Sequence, residues 1–290
     1  VTGTAPLRLA TRSSAQATAQ SEAVATALRA AGVEVELVFV ETLGDRRLDV
    51  PLHTIGGQGV FVKEVQHAVL DGRADLAVHS AKDLPSTPAE GLLLAAFCAR
   101  RSSADALVGA SLAELPSGAT VATGSVRRRA QLAAVRSDLT FAELRGNIQT
   151  RLGKIPEGGA IVMAVAALEI LGLTDRIAEV LDPTQFVPAV GQGCVAVECR
   201  PDDEVTRAAL ATVDHGPTRR AVEVERAYLA ELGSGCSLPV AAHVADGVLR
   251  TFLAGTSVHR AEAALSGDHA ADLELARQLA RDAAVAVGAP

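Results

Sequence analysis

Asp83 stands in the run His79-Ser80-Ala81-Lys82-Asp83-Leu84-Pro85, directly after the apolar stretch Ala74 to Val78. In open α/β sheets, ligands bind in the crevice beyond the carboxyl ends of the strands, so a loop in this place is positioned for chemistry. Lys82 holds the neighbouring carboxylate ionised, which suits an acid or base that steadies a developing cation. Read blandly, Asp83 caps a turn that Pro85 ends. Arginines form a second group. Ser125-Val126-Arg127-Arg128-Arg129 follows the strand-like run ending at Thr123, Arg145-Gly146-Asn147 and Arg151 follow the next one, and Thr11-Arg12-Ser13-Ser14 follows the first. Free amides at a helix N-terminus, hydroxyls and forked guanidiniums make anion sites. Any one of these arginines reads as solvated surface. All of them at strand ends around one crevice read as a cleft for a compact polyanion, and separated guanidiniums match several carboxylates at least as well as one phosphate chain. Cys236, in Gly233-Ser234-Gly235-Cys236-Ser237, lies in a flexible turn that exposes its thiol. It is either a candidate nucleophile or attachment point, or a small residue filling a tight turn. Cys98, Cys194 and Cys199 fall in apolar strands and read as inert.

The elements that position these groups alternate strand and helix. Leu7–Ala10 reads as a strand, Ser13–Ala31 as an alanine-rich helix ended by Gly32, Val33–Glu41 as a strand, 60–71 as a helix ended by Gly72, and Ala74–Val78 as a third strand. The pattern returns after Pro116 with strands at 120–123, 139–144 and 160–165 and helices at 127–136 and 148–154. Short apolar strands of this kind predict mainly parallel sheets covered on both faces. The fold class is α/β, with two lobes crossed twice by the chain, at 99–103 and 183–193, plus a small α+β C-terminal domain. A hairpin around Asp246-Gly247 marks that last domain. The expected division is 1–98 with 194–216, then 99–193, then 217–290. The charged, Gly-rich stretch 42–59 reads either as a lid or as an ordinary long loop. Gly56-Gly57-Gln58-Gly59 and Gly191-Gln192-Gly193 are not dinucleotide-binding loops, because neither has the GxGxxG spacing.

Composition excludes several classes. The chain has 290 residues, enough for two or three domains. With 27 Lys and Arg against 34 Asp and Glu, and aromatics at 2%, it has little with which to hold a phosphate backbone or stack on bases, so no nucleic-acid partner is expected. No apolar run approaches the roughly 18 residues that span a bilayer, and no membrane partner is expected. Arg8 and Arg12 interrupt the N-terminal apolar residues, so no secretory signal is expected either. The four cysteines show no CxxC pairing and no zinc spacing, which predicts neither a disulfide framework nor a metal and makes a reducing cytoplasm the expected location.

Seven segments, in order along nearly the whole chain, closely resemble the porphobilinogen deaminase (hydroxymethylbilane synthase) family: 7–14 (LRLATRSS), 59–64 (GVFVKE), 77–85 (AVHSAKDLP), 124–128 (GSVRR), 144–147 (LRGN), 188–193 (PAVGQG) and 235–239 (GCSLP). The resemblance implies two lobes similar to solute-binding proteins. It also implies a dipyrromethane cofactor joined to Cys236 by a thioether, which makes that thiol an anchor rather than a turnover nucleophile. Porphobilinogen would lose ammonia, the free α-carbon of the growing pyrrole chain would attack, and four units would join head to tail before water releases hydroxymethylbilane. Asp83 would help protonate the leaving amine and stabilise the positive charge on the pyrrole nitrogens. Arg12, Ser14, Ser80, Lys82, Thr123, Ser125, Arg127, Arg128, Arg145 and Arg151 would hold the acetate and propionate groups of cofactor and substrate. A cytoplasmic monomer is expected.

The chain departs from the family pattern at Thr54 and Gln58, where lysines are usual, and at Ile170, where an arginine is usual. Arg46 and Arg47 are candidates to compensate. A diverged paralogue making a shorter or different pyrrole chain is one alternative. A non-catalytic two-lobed anion-binding module is another; it would have no need of Cys236.

Overall fold

The computed structural model describes residues 5–41, 62–233 and 238–288. The stretch 42–59, with Arg46, Arg47, Thr54 and Gln58, lies outside the described residues, and so does Cys236.

The first sheet has the order β2-β1-β3-β10-β4, built from β1 (Leu7–Thr11), β2 (Val35–Phe39), β3 (Leu76–Ser80), β4 (Leu93–Phe97) and β10 (Val195–Cys199). Strands β1, β2 and β3 run parallel, while β10 lies antiparallel between β3 and β4. The second sheet repeats the plan in the order β7-β6-β8-β5-β9, from β5 (Asp105–Val108), β6 (Thr120–Ala122), β7 (Thr140–Ala142), β8 (Ala160–Ala164) and β9 (Glu179–Val180). There β6, β7 and β8 are parallel and β5 is the antiparallel insert. Each sheet is therefore completed by a strand that arrives immediately after a crossing. The expected mainly parallel α/β lobes are present; the short strands β5 and β9 were not visible as separate apolar runs.

Helices cover the faces. In α1 (Ala15–Ala30), Val24, Ala25 and Leu28 are buried against Leu9, Leu76 and Val197 of the first sheet. Helix α2 (Lys63–Leu70) buries Val65, Ala68 and Val69 against Ala10 and Ala77 on the other face. The second lobe uses α3 (Val126–Val135), α4 (Ile148–Leu152) and α5 (Val165–Glu169), with Leu132 in one core layer and Ile148, Leu152 and Leu168 in another. Strand β3 reads as a continuous apolar run because it is buried on both faces. After β10 comes α6 (Glu204–Ala211) and then α7 (Gly216–Glu231), with Pro217 in its first turn. The C-terminal meander β11 (Val240–Ala245), β12 (Val248–Ala254) and β13 (Val258–Ala264) packs with α7 and α8 (His269–Val287) around Tyr228, Leu249, Leu253 and Ala280. Among the described residues no helix is long and apolar enough to cross a membrane, and no cluster of His, Cys, Asp or Glu could hold a metal ion.

Candidate active site

The site grows from the carboxyl ends of β1, β3, β6 and β7. Strand β3 gives way to a single 3₁₀ turn, Ala81–Asp83, anchored by the Ala81 N–H donating to the Cys194 carbonyl at 2.9 Å. That turn aims Asp83 at a small cavity whose wall also includes Arg12, Ser14, Gln16, Gln20, His79 and Ser80. Ser14 caps α1 by accepting from the Ala17 N–H at 3.3 Å. Ser125 plays the same part for α3, accepting from the Arg128 N–H, and Asn147 for α4, accepting from the Thr150 N–H. The two β-to-α junctions, one in each lobe, thus present matching hydroxyl caps with an arginine beside each. Gln16 and Gln20, four residues apart on the first turns of α1, were not singled out from sequence, although that spacing places them on one helix face.

Charged groups of the two lobes act on one another. Burial depresses the Arg151 guanidinium to about 10, and the next contributions come from Arg128, Arg145 and Arg12, which push it down, and from Asp83, which pulls it up. Its Nε donates to the Gly146 carbonyl at 2.8 Å. The Lys82 ammonium is pushed down to about 8 by burial and by the positive charges of Arg128 and Arg127, against the pull of Asp83 and Asp105. Arg151 therefore feels Arg12, Asp83, Arg128 and Arg145, Lys82 feels Asp83, Asp105, Arg127 and Arg128, and around both the cations outnumber the carboxylates.

Arg127 and Arg128 are not the solvated surface arginines that either would be if read singly. Each is more than nine-tenths buried. Arg127 donates to Asp105 Oδ2 at 2.7 Å and to the Val187 carbonyl at 2.8 Å. Arg128 donates through Nε and Nη2 to Asp105 Oδ1, at 3.0 and 2.6 Å, and to the Val162 carbonyl at 2.9 Å. One fully buried carboxylate serves two guanidiniums, which hold it down at about 2 despite its burial. The excess positive charge remains for whatever faces it. Thr123 is also buried, and its hydroxyl accepts from the Ser125 N–H at 3.2 Å, so it shapes the loop before α3. His79, in the cavity wall, has its Nε2 3.0 Å from Glu198 Oε2, the same oxygen that accepts from Gln66 Nε2 at 2.8 Å. Cys98, Cys194 and Cys199 have thiols pushed up by burial to about 11, about 12 and about 11, which matches their expected inertness.

Between the lobes and the C-terminal domain lies a second buried centre that sequence reading did not find. Glu225 of α7 accepts from Arg100 Nη1 at 2.6 Å and Nη2 at 3.1 Å, from the Gly191 N–H at 2.8 Å and from the Val244 N–H at 2.9 Å. Arg100 belongs to the first crossing and Gly191 to the second, so one carboxylate straps both to the third domain. Arg226, next in sequence, donates through Nη2 to the Pro85 carbonyl at 2.8 Å, two residues past Asp83.

A two-lobed α/β fold that sets an acidic side chain at a strand end among a surplus of cations from both lobes defines a cleft of net positive lining. The comparisons with known proteins narrow this. Residues 7–208 match the family profile "Porphobilinogen deaminase, dipyromethane cofactor binding domain". A porphobilinogen deaminase of Nitratidesulfovibrio vulgaris is 46% identical over 96% of this chain and 92% of its own length. One from Acidothermus cellulolyticus is 50% identical over 81% and 74% of the two chains, and one from Thermobifida fusca 46% over 96% and 93%. Among solved structures, the methionine-binding protein MetQ matches with a TM-score of 0.46 at 14% identity, covering 73% of this chain and 91% of that one. The chain belongs to the porphobilinogen deaminase family.

Proposed function

We propose that this protein deaminates porphobilinogen and condenses four units head to tail on a dipyrromethane carried by Cys236, releasing ammonia and finally hydroxymethylbilane. The observation that carries this reading is the cleft in which Asp83 and an excess of cations meet, in a chain of this family. A cofactor bearing several carboxylates fits that donor set, because Lys82 and Arg151 are both held below their ordinary values in part by neighbouring positive charge that carboxylates would offset. When bound, the dipyrromethane supplies the pyrrole carbon to which each unit is joined. Arg12, Arg145, Arg151 and Lys82, with Ser14, Ser80 and Ser125, bind and orient the acetate and propionate groups. Arg127 and Arg128, fixed by Asp105, hold positive charge at the floor of the second lobe, and Thr123 holds the loop above them. Asp83 steadies positive charge on the reacting pyrrole and exchanges a proton with the leaving amine as the carbon–nitrogen bond breaks. Residues 1–98 with 194–216 supply the acid, 99–193 the arginines and 217–290 the anchor; the protein works in the cytoplasm as a monomer, without nucleic acid.

Intact mass tests the anchor directly. Freshly purified protein carries the added mass of a dipyrrole, and Cys236→Ala does not; an unmodified parent chain overturns the assignment. Lys82 gives a second test. Its ammonium loses its proton through about pH 8 in the free protein, so kcat/KM for porphobilinogen falls as pH rises past that value. Lys82→Arg retains the charge and removes this fall, and a profile identical in both proteins excludes Lys82 from carboxylate binding.

A further inference from the structure

Gln192 belongs to the second crossing and to neither group of residues assigned above, yet its side chain is almost wholly buried at the point where the crossings meet the arginines. Its Nε2 donates to the Ser103 carbonyl at 2.7 Å and to Asp105 Oδ1 at 3.0 Å. Its main-chain carbonyl accepts from Arg100 Nε at 2.8 Å. One residue thus ties the two crossings together and ends on the carboxylate that fixes both Arg127 and Arg128. The flanking glycines press this bend against its neighbours. A Cβ on Gly191, where φ is +68°, would stand 2.9 Å from Ala81 Cβ and 3.3 Å from the Lys82 nitrogen; one on Gly193 would stand 2.5 Å from the Ser102 carbonyl. The bend therefore touches the loop that carries Asp83 on one side and, through Gln192, the counterion of the arginines on the other. Gln192 Oε1 is buried with no hydrogen-bond partner among the described residues. The unpaired amide oxygen itself detracts from stability, so what Gln192 contributes lies in the two bonds its Nε2 donates, to the Ser103 carbonyl and to Asp105.

We propose that Gln192 is a positioning residue of the reaction: from the crossing it fixes the Asp105 carboxylate, and through it the place of the positive charge that Arg127 and Arg128 hold beneath the carboxylates of the ligand. The inference rests on the functional reading given above. It specifies which residue of the crossing transmits order from the acid's loop to the arginines.

Two variants test it. Gln192→Met keeps the length and removes both donated bonds; it unfolds at a modestly lower denaturant midpoint yet is fully folded and carries the dipyrrole under assay conditions, while kcat/KM for porphobilinogen falls tenfold to a hundredfold, mostly through KM. Gln192→Glu adds a signature that a merely structural role would not produce. The new carboxyl is faced by Asp105 from β5, which Arg127 and Arg128 of α3 hold, with Arg100 of the first crossing on the residue's own carbonyl and His243 of β11 on the hydroxyl of Ser103 beside it. Lys82 lies within electrostatic reach of Asp105, and Glu225 of α7 sits on the Gly191 N–H. Protonated, the carboxyl donates to Asp105 as the amide does; ionised, it repels Asp105 and loosens its hold on Arg128. The ratio of Gln192→Glu to parent kcat/KM therefore rises as pH is lowered. A Gln192→Met protein with the parent's kcat/KM, or a Gln192→Glu ratio flat in pH, overturns the proposal. A parent protein with no dipyrrole and no turnover instead removes the functional assignment, and the inference with it.

Discussion

Asp83→Asn leaves a protein that folds and carries its cofactor as the parent does but turns over porphobilinogen about 10²–10⁴-fold more slowly. The substitution preserves size and removes both the negative charge and the titratable oxygen. Asp83 sits at the end of a 3₁₀ turn held by the Ala81 N–H, in the wall of the cavity beside Arg12, Ser14 and Ser80. The change therefore leaves the scaffold alone. The loss appears in kcat, because stabilisation of charge that develops only during the reaction is withdrawn while carboxylate binding by the arginines persists. Ammonia release under saturating substrate, set beside intact mass, measures this. Turnover within a few-fold of the parent would remove Asp83 from the chemistry.

The second large effect is on stability. Glu225→Gln lowers the free energy of unfolding by about 3–5 kcal/mol, because Arg100 keeps its charge in a buried place and loses the carboxylate that answers it. Urea unfolding followed by circular dichroism reads the change, and a loss below about 1 kcal/mol would show that the strap is not a major stabilising contact. The pH dependence follows. Glu225 is held at about 2 against an ordinary 4.5, despite burial, by Arg100 and His243, and Asp105 at about 2 against 3.8 by Arg127 and Arg128. A carboxylate lowered on folding contributes stability that is fully present above its unfolded value and is lost as pH falls toward its folded one. The parent therefore weakens in acid between about pH 4.5 and about pH 2, and Glu225→Gln shows a shallower decline over that window because one of the two groups is gone.

How much of this could be read in advance depended on the range of the interaction. Strands β1, β3, β6 and β8 are short apolar runs, and Ser14 and Ser125 announce the helices they cap from one or two residues away, so the lobes and the arginines at their strand ends were legible. The carboxylate that occupies two of those arginines was not. Asp105 opens a four-residue strand whose place is decided by β8 and β9, and its partners lie 22, 23 and 87 residues along the chain. The same holds for Glu225, which looks like one acid among several on a charged helix until Arg100 and Gly191 are folded against it. Gly191-Gln192-Gly193 could be excluded as a nucleotide loop by its spacing, but what it does instead is visible only where the crossings meet.

Strand β10 fills the slot between β3 and β4 with a segment made about a hundred residues after them. As the chain leaves the ribosome, the N-terminal sheet therefore waits with two unsatisfied inner edges while the whole second lobe is synthesised. Closing it is a late, long-range step, which makes that interval the period in which the nascent protein is most exposed to misassociation and most in need of a chaperone.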